Sequence, residues 1–103
     1  MEDQISKNES RDQTSIEIDN LIKFQQIMAE MQEDMQETLK LFVGFWKELQ
    51  DESPNFQYLG NVSHEVTQNA MKIRSYYKLL VSINPNELYC RMLYALFLKK
   101  IMN

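Results

Sequence analysis

Few side chains in this 103-residue chain could do chemistry, and none sits at a spacing that chemistry needs. His64 is the single histidine, with Glu65 beside it and no second ligand-type residue at helical spacing. A metal site draws on several such groups, and nothing resembles HExxH, so His64 reads as a helix-surface or hydrogen-bonding residue. Cys90 is the single cysteine, followed by Arg91, whose charge would lower a thiol pKa. No His or Asp follows it in a nucleophile pattern, so it reads as a small hydrophobe. The acids at 30, 33, 34 and 37 lack EF-hand spacing and read as a solvated helix face. Asn8-Glu9-Ser10 and Asn61-Val62-Ser63 match the glycosylation sequon without a secretory signal to use it. No Gly-rich phosphate loop occurs. The chain is expected to hold no catalytic residue, no cofactor and no metal ligand, and not to be an enzyme.

Composition bounds what must position these residues. The length allows one domain, and two Gly with two Pro are too few for the turns of a β fold, which leaves long helices. The longest nearly uncharged apolar run, Leu88 to Leu98, is about half the roughly 20 residues a membrane span needs, and Arg91 interrupts it. The acidic, polar start MEDQISKNESRDQT is neither a signal peptide nor a mitochondrial presequence. One cysteine makes no internal disulfide, so a reducing, cytoplasmic setting is expected. Residues 1–52 hold 13 acids and 5 bases, residues 53–103 hold 2 acids and 6 bases. Halves of opposite sign favour folding back on each other. Six bases without an aromatic-plus-basic module do not support nucleic-acid binding.

Residues 1–13 read as a disordered tail, followed by a single all-helical domain over 14–103. Thr14 or Ser15 is the expected cap of a first helix over about 15–50. Its seam of Leu21, Phe24, Met28, Met31, Met35, Thr38, Phe42, Phe45 and Leu49 alternates at spacings of 3 and 4, with Thr38 the one polar position. Glu30, Glu33, Asp34, Glu37 and Lys40 are expected to fall away from it. From Leu39 to Leu49 the apolar face widens, which predicts packing on two sides there. Gly44 inside the helix costs about 1 kcal/mol against Ala, so close approach of another helix is expected. A second helix is predicted over about 54–82, capped by Ser53 with Pro54 in its first turn and a kink or restart near Gly60-Asn61. Its seam is Leu59, Val62, Val66, Asn69/Ala70, Ile73, Tyr76/Tyr77, Leu80 and Ile83. Asn84-Pro85-Asn86 breaks the chain before a third helix over about 86–102 that is apolar nearly all round.

Two helices can hardly cover such a third one, so the chain reads as a unit in want of a protein partner, as a homo- or hetero-oligomer. The candidate partner-interface residues are Phe24, Met28, Met31, Met35, Trp46, Leu88, Met92 and Leu96. Ordinary hairpin core is the favoured reading of the three methionines. The residues expected to pack the hairpin are Phe45, Tyr77, Leu80, Pro85, Tyr94 and Phe97.

The wording of residues 39–103 is more specific than its periodicity. Phe45-Trp46 followed by Leu49, then Tyr77-Lys78-Leu79-Leu80, Ile83-Asn84-Pro85-Asn86, and Tyr94-Ala95-Leu96-Phe97-Leu98 with the closing Asn103 resembles the helical-repeat region of the tiny macrocysts protein B and C family. Those are large proteins of ciliates, slime moulds and other single-celled eukaryotes, often multi-pass in the membrane and sometimes carrying PAS domains. The resemblance implies an all-α, three-helix antiparallel, tetratricopeptide-like (TPR-like) arrangement, with Tyr77 and Leu80 packing on Tyr94 and Phe97 across the Asn-Pro-Asn turn. It carries over no catalytic residue. The function expected is a non-enzymatic helical interaction or structural protein, a small accessory subunit of a larger assembly in a cytoskeletal or ciliary setting. The alternative is a sensory or signalling helical module of the membrane-anchored, PAS-containing lineage.

Overall fold

The computed structural model describes residues 2–102, with side-chain surroundings from residue 13 onward. Three helices follow in order, α1 (Glu2–Leu49), α2 (Phe56–Ile83) and α3 (Leu88–Met102), and the described residues hold no strand. The all-α class and the long first helix stand as read from the sequence. α1 and α2 form an antiparallel hairpin that carries most of the tertiary contact, and α3 turns back against both.

α1 begins well before the expected cap, so the boundary at about residue 15 is corrected. No Gly or Pro occurs between Glu2 and Val43, and a nucleated helix extends without repeating its nucleation step. Thr14 and Ser15 therefore lie inside α1. Met1, Asn103 and the side chains of the expected tail through Asp12 lie outside the described residues.

α2 starts at Phe56, two residues later than predicted, because Asn55 rather than Ser53 is its cap. The Asn55 side-chain oxygen accepts from the backbone N–H of Tyr58 at 3.1 Å, and the N–H of Asn55 donates to Glu48 Oε1 at 2.9 Å. Asn and Ser are near-equal caps. The Glu48 carboxylate on the preceding helix decides between them. No restart follows at Gly60-Asn61, since α2 is continuous to Ile83.

The break before α3 is built locally. The N–H of Asn84 donates to Leu80 O at 2.9 Å and ends α2, with Asn84 held extended (φ −140°, ψ 89°) as a residue before proline must be. Asn84 Oδ1 then accepts from Asn86 N–H, and Asn84 O accepts from Glu87 N–H at 3.3 Å. These bonds use up the turn residues, so α3 starts at Leu88 rather than 86.

The core is one cluster of Met28, Met31, Met35, Ile73, Leu80, Cys90 and Phe97, with Phe24, Leu39, Tyr76, Tyr77, Leu93 and Tyr94 packed around it. Leu59 and Val62 are buried nearer the α1–α2 turn. Thr38 is fully buried, and its hydroxyl donates to Asp34 O at 2.7 Å, one helical turn back. This self-contained bond lets a polar residue occupy a seam position.

Two glycines lie inside helices for different reasons. A Cβ on Gly44 would meet Tyr58 Oη of α2 at 3.1 Å, so what comes close is the tip of a tyrosine side chain and not, as the sequence predicts, the body of another helix. A Cβ on Gly60 would meet nothing within 4 Å. Gly60→Ala is therefore expected to stabilise the fold by about 1 kcal/mol, raising the melting temperature by about 4–8 °C. Gly44→Ala should gain less, because the tyrosine hydroxyl must first move by a few tenths of an ångström. Thermal unfolding of the two variants checks both the sign and the order.

Candidate interaction surface

The residues that could have done chemistry are dispersed. His64 is exposed on α2, and among the described residues no three His, Cys, Asp or Glu side chains come together as a metal site. Cys90 is sealed in the core, and burial pushes its thiol pKa up. The Glu87 carboxylate adds to that, against the weaker opposite pull of Arg91. The lowered pKa that Arg91 suggested does not arise. The Arg91 guanidinium instead donates to the carbonyl of Pro85, closing the turn before α3.

A raised thiol pKa has a stability consequence with a definite sign. Below the ordinary thiol value of about 8.5 the thiol is protonated in both folded and unfolded chains. Above it the unfolded chain loses that proton first, so the folded state binds more protons and stability falls as pH rises. Denaturant unfolding from pH 7 to 9.5 should show this decline, and Cys90→Ala should lose it.

Asp34 is the charged residue whose place the sequence does not reveal. It does not join the solvated face of Glu30, Glu33 and Glu37; it turns toward α2, where its shielded Oδ2 lies 3.3 Å from Lys72 Nζ. This ammonium is the one partner of that oxygen among the described residues. Asp34 holds the Lys72 pKa above its ordinary value, first by hydrogen bonding and then by charge. The Lys72 ammonium also lies 5.7 Å from the Tyr76 ring centre. The opposite net charges of the two halves are the only sequence signal for this pair.

The expected interface residues divide sharply. Met28, Met31 and Met35 are buried between the helices and so are core rather than a surface open to a partner. Phe24 is half-buried against the same cluster. Trp46 is 48% exposed, edge-on to Phe42 and Phe45 at 6.0 Å, while Phe45 is half-buried. Val43 and Leu49 are exposed beside Trp46, so the last third of α1 is packed on one side within the chain, not on two. Leu88, Met92 and Leu96 are 67, 55 and 56% exposed and form a ridge along α3 at a spacing of four. Of the hairpin residues, Leu80 and Phe97 are buried, Tyr77 and Tyr94 stack with ring centres 4.1 Å apart and planes 10° from parallel, and Pro85 is exposed in the turn.

The Leu88–Leu96 ridge is flanked by two open grooves. On the α1 side, Met35, Leu39, Leu93, Leu96, Gln32 and Lys100 line a space of about 460 Å³, with Gln32 Nε2 donating to Tyr89 Oη at 3.2 Å across its rim. On the α2 side, Val66, Met71, Arg74, Tyr94, Leu98 and Ile101 line about 610 Å³. α3 is thus held along one face and open along the rest. A model of TmcB TPR repeats matches residues 1–103. The chain belongs to the TmcB TPR-repeat family. The match takes in all of α1, beyond the residues 39–103 on which the sequence resemblance rested. TPR repeats are helical protein–protein interaction modules. No curated protein and no solved structure matches the chain. No helix among the described residues is long and apolar enough to cross a membrane.

Proposed function

We propose that this TmcB-family chain is a non-enzymatic interaction module that seats an amphipathic helix of a partner protein on the outer side of α3, as a small subunit of a larger assembly. The observation that carries the reading is the exposed ridge of Leu88 and Met92 on a helix that is apolar nearly all round. Such a surface, rimmed by polar groups, marks a binding face. Arg74, Arg91, Lys99 and Lys100 around it favour a partner helix with acidic flanks. The hosts of the family that residues 39–103 resemble support a cytoskeletal or ciliary setting. The half-exposed Trp46 beside Val43 and Leu49 supplies a second candidate contact.

The test is affinity capture with mass spectrometry, comparing the chain with a Leu88→Ser/Met92→Ser variant of unchanged helicity. Loss of the same partners from the variant supports the reading, and equal capture by both overturns it. A signalling role is favoured by one observation, the 48-residue α1 that extends far past α2. Co-flotation with membranes through an anchored relative would support that role.

A further inference from the structure

We propose that two copies of this chain pair reciprocally, the N-terminal part of each α1 that overhangs α2 lying in the α1–α3 groove of the other as a fourth helix. This goes beyond the module reading and does not depend on it.

The helix lengths set up the pairing. At 1.5 Å per residue, α1 is roughly 72 Å long and α2 roughly 42 Å, and the molecule measures 79 Å along its long axis. The end of α2, Ile83 and Asn84, sits against Leu21 and Phe24. The part of α1 before Leu21 therefore stands clear of α2 by roughly 30 Å. The 15 residues of α3 span roughly 22 Å, so the overhang is long enough to cover it.

The overhang has a face to bury. Ile18 in the overhang and Leu21 and Ile22 at its junction with the packed part of α1 are all exposed and recur at spacings of 3 and 4, which places them on one side of the helix. The α1–α3 groove offers the matching surface in Met35, Leu39, Leu93 and Leu96, with Lys100 the one charged residue among those lining it. Charge points the same way. Residues 1–22 hold six acids and two bases, whereas Leu88–Met102 holds Arg91, Lys99 and Lys100 and no acid. An acidic helix meets an apolar groove with Lys100 in its lining, on a helix whose charged residues are all basic.

Continuity selects the occupant. The overhang is one uninterrupted helix with the rest of α1, without Gly or Pro before Gly44, so it cannot fold back into the groove of its own chain. A second copy laid antiparallel brings each overhang to the other's groove, and the two contacts are equivalent by the two-fold axis. Each end of the pair then has α1, α2, α3 and a borrowed helix in cross-section, a four-helix bundle that covers the α1 side of α3.

Sedimentation equilibrium of the full chain should give twice 12.3 kDa at micromolar concentration. Ile18→Ser/Leu21→Ser/Ile22→Ser at the base of the overhang, and Leu96→Glu in the groove, should each give a monomer of unchanged helicity. Mixing these two monomers should restore a weaker pair, because one keeps an intact overhang and the other an intact groove. Lys99→Glu/Lys100→Glu should weaken pairing at least tenfold, and adding Glu17→Lys/Asp19→Lys should recover it. A monomer at every concentration overturns the proposal, as do a dimer insensitive to both variants and a mass that grows without limit. Partner capture and self-association are separate readouts, so either can fail while the other stands.

Discussion

Ile73→Ala is expected to lower the unfolding free energy by about 2–5 kcal/mol, the range for deleting a fully buried aliphatic side chain and leaving a cavity. Ile73 is wholly inaccessible and lies in the cluster with Met28, Met31, Met35 and Leu80, between the two helices that carry most of the fold. Small domains are stable by about 5–15 kcal/mol, and a bundle of this size belongs at the low end. The loss is therefore a large share of the total, worth a fall of on the order of 10 °C or more in melting temperature. Ile73→Val should recover most of it, at about 0.5–1.5 kcal/mol. Urea unfolding followed by far-ultraviolet circular dichroism gives both numbers. A midpoint for Ile73→Ala within error of the unsubstituted chain would mean that α1 and α2 do not meet at this residue.

The Ile73 expectation rests on a seam that is legible in the sequence. In α2 the predicted seam contains all four buried residues, Leu59, Val62, Ile73 and Leu80, and its other members, Val66, Asn69, Ala70, Tyr76, Tyr77 and Ile83, are half-buried, because one face of a 3.6-residue repeat is all that a two-helix contact can bury. The same rule overreaches at the ends of α1. Leu21 and Leu49 fit the seam and are exposed, because α2 ends level with the first and the chain turns away at the second. Periodicity reports which side a residue faces, not whether anything is there to meet it. The caps show the complementary limit. Ser53 and Asn55 are equivalent by local chemistry, and the choice is made by Glu48 on another helix. Asp34 is missed for a like reason, since its partner Lys72 is 38 positions away in the chain. On the candidate surface, the exposed Leu88, Met92 and Leu96 follow from a helix too apolar for two neighbours to cover. The core placement of Met28, Met31 and Met35 follows only from where α2 and α3 lie.

Phe97→Ala should act on α3 alone. Phe97 and Cys90 are the two buried residues of α3, and deleting a buried phenyl group costs about 3–5 kcal/mol. α3 shares far less contact with the hairpin than α1 and α2 share with each other, so its docking should fail before the hairpin opens. The hairpin keeps Met31, Met35, Leu59, Val62 and Ile73 as a core of its own. The Tyr77–Tyr94 stack across the α2–α3 joint should be lost with docking, and with it part of the near-ultraviolet dichroism. Amide exchange in residues 88–102 should become fast while α2 stays protected, and trypsin should cut at Arg91, Lys99 and Lys100 under native conditions. Ile73→Ala, by contrast, should speed exchange throughout. If Phe97→Ala instead lowers protection evenly across all three helices, α3 is an integral part of one cooperative unit. If it behaves as expected, α3 is the element whose position a bound helix would fix, because any ligand seated in its flanking grooves stabilises the docked state over the free one. Restored exchange protection of 88–102 at high chain concentration would then report the borrowed helix directly.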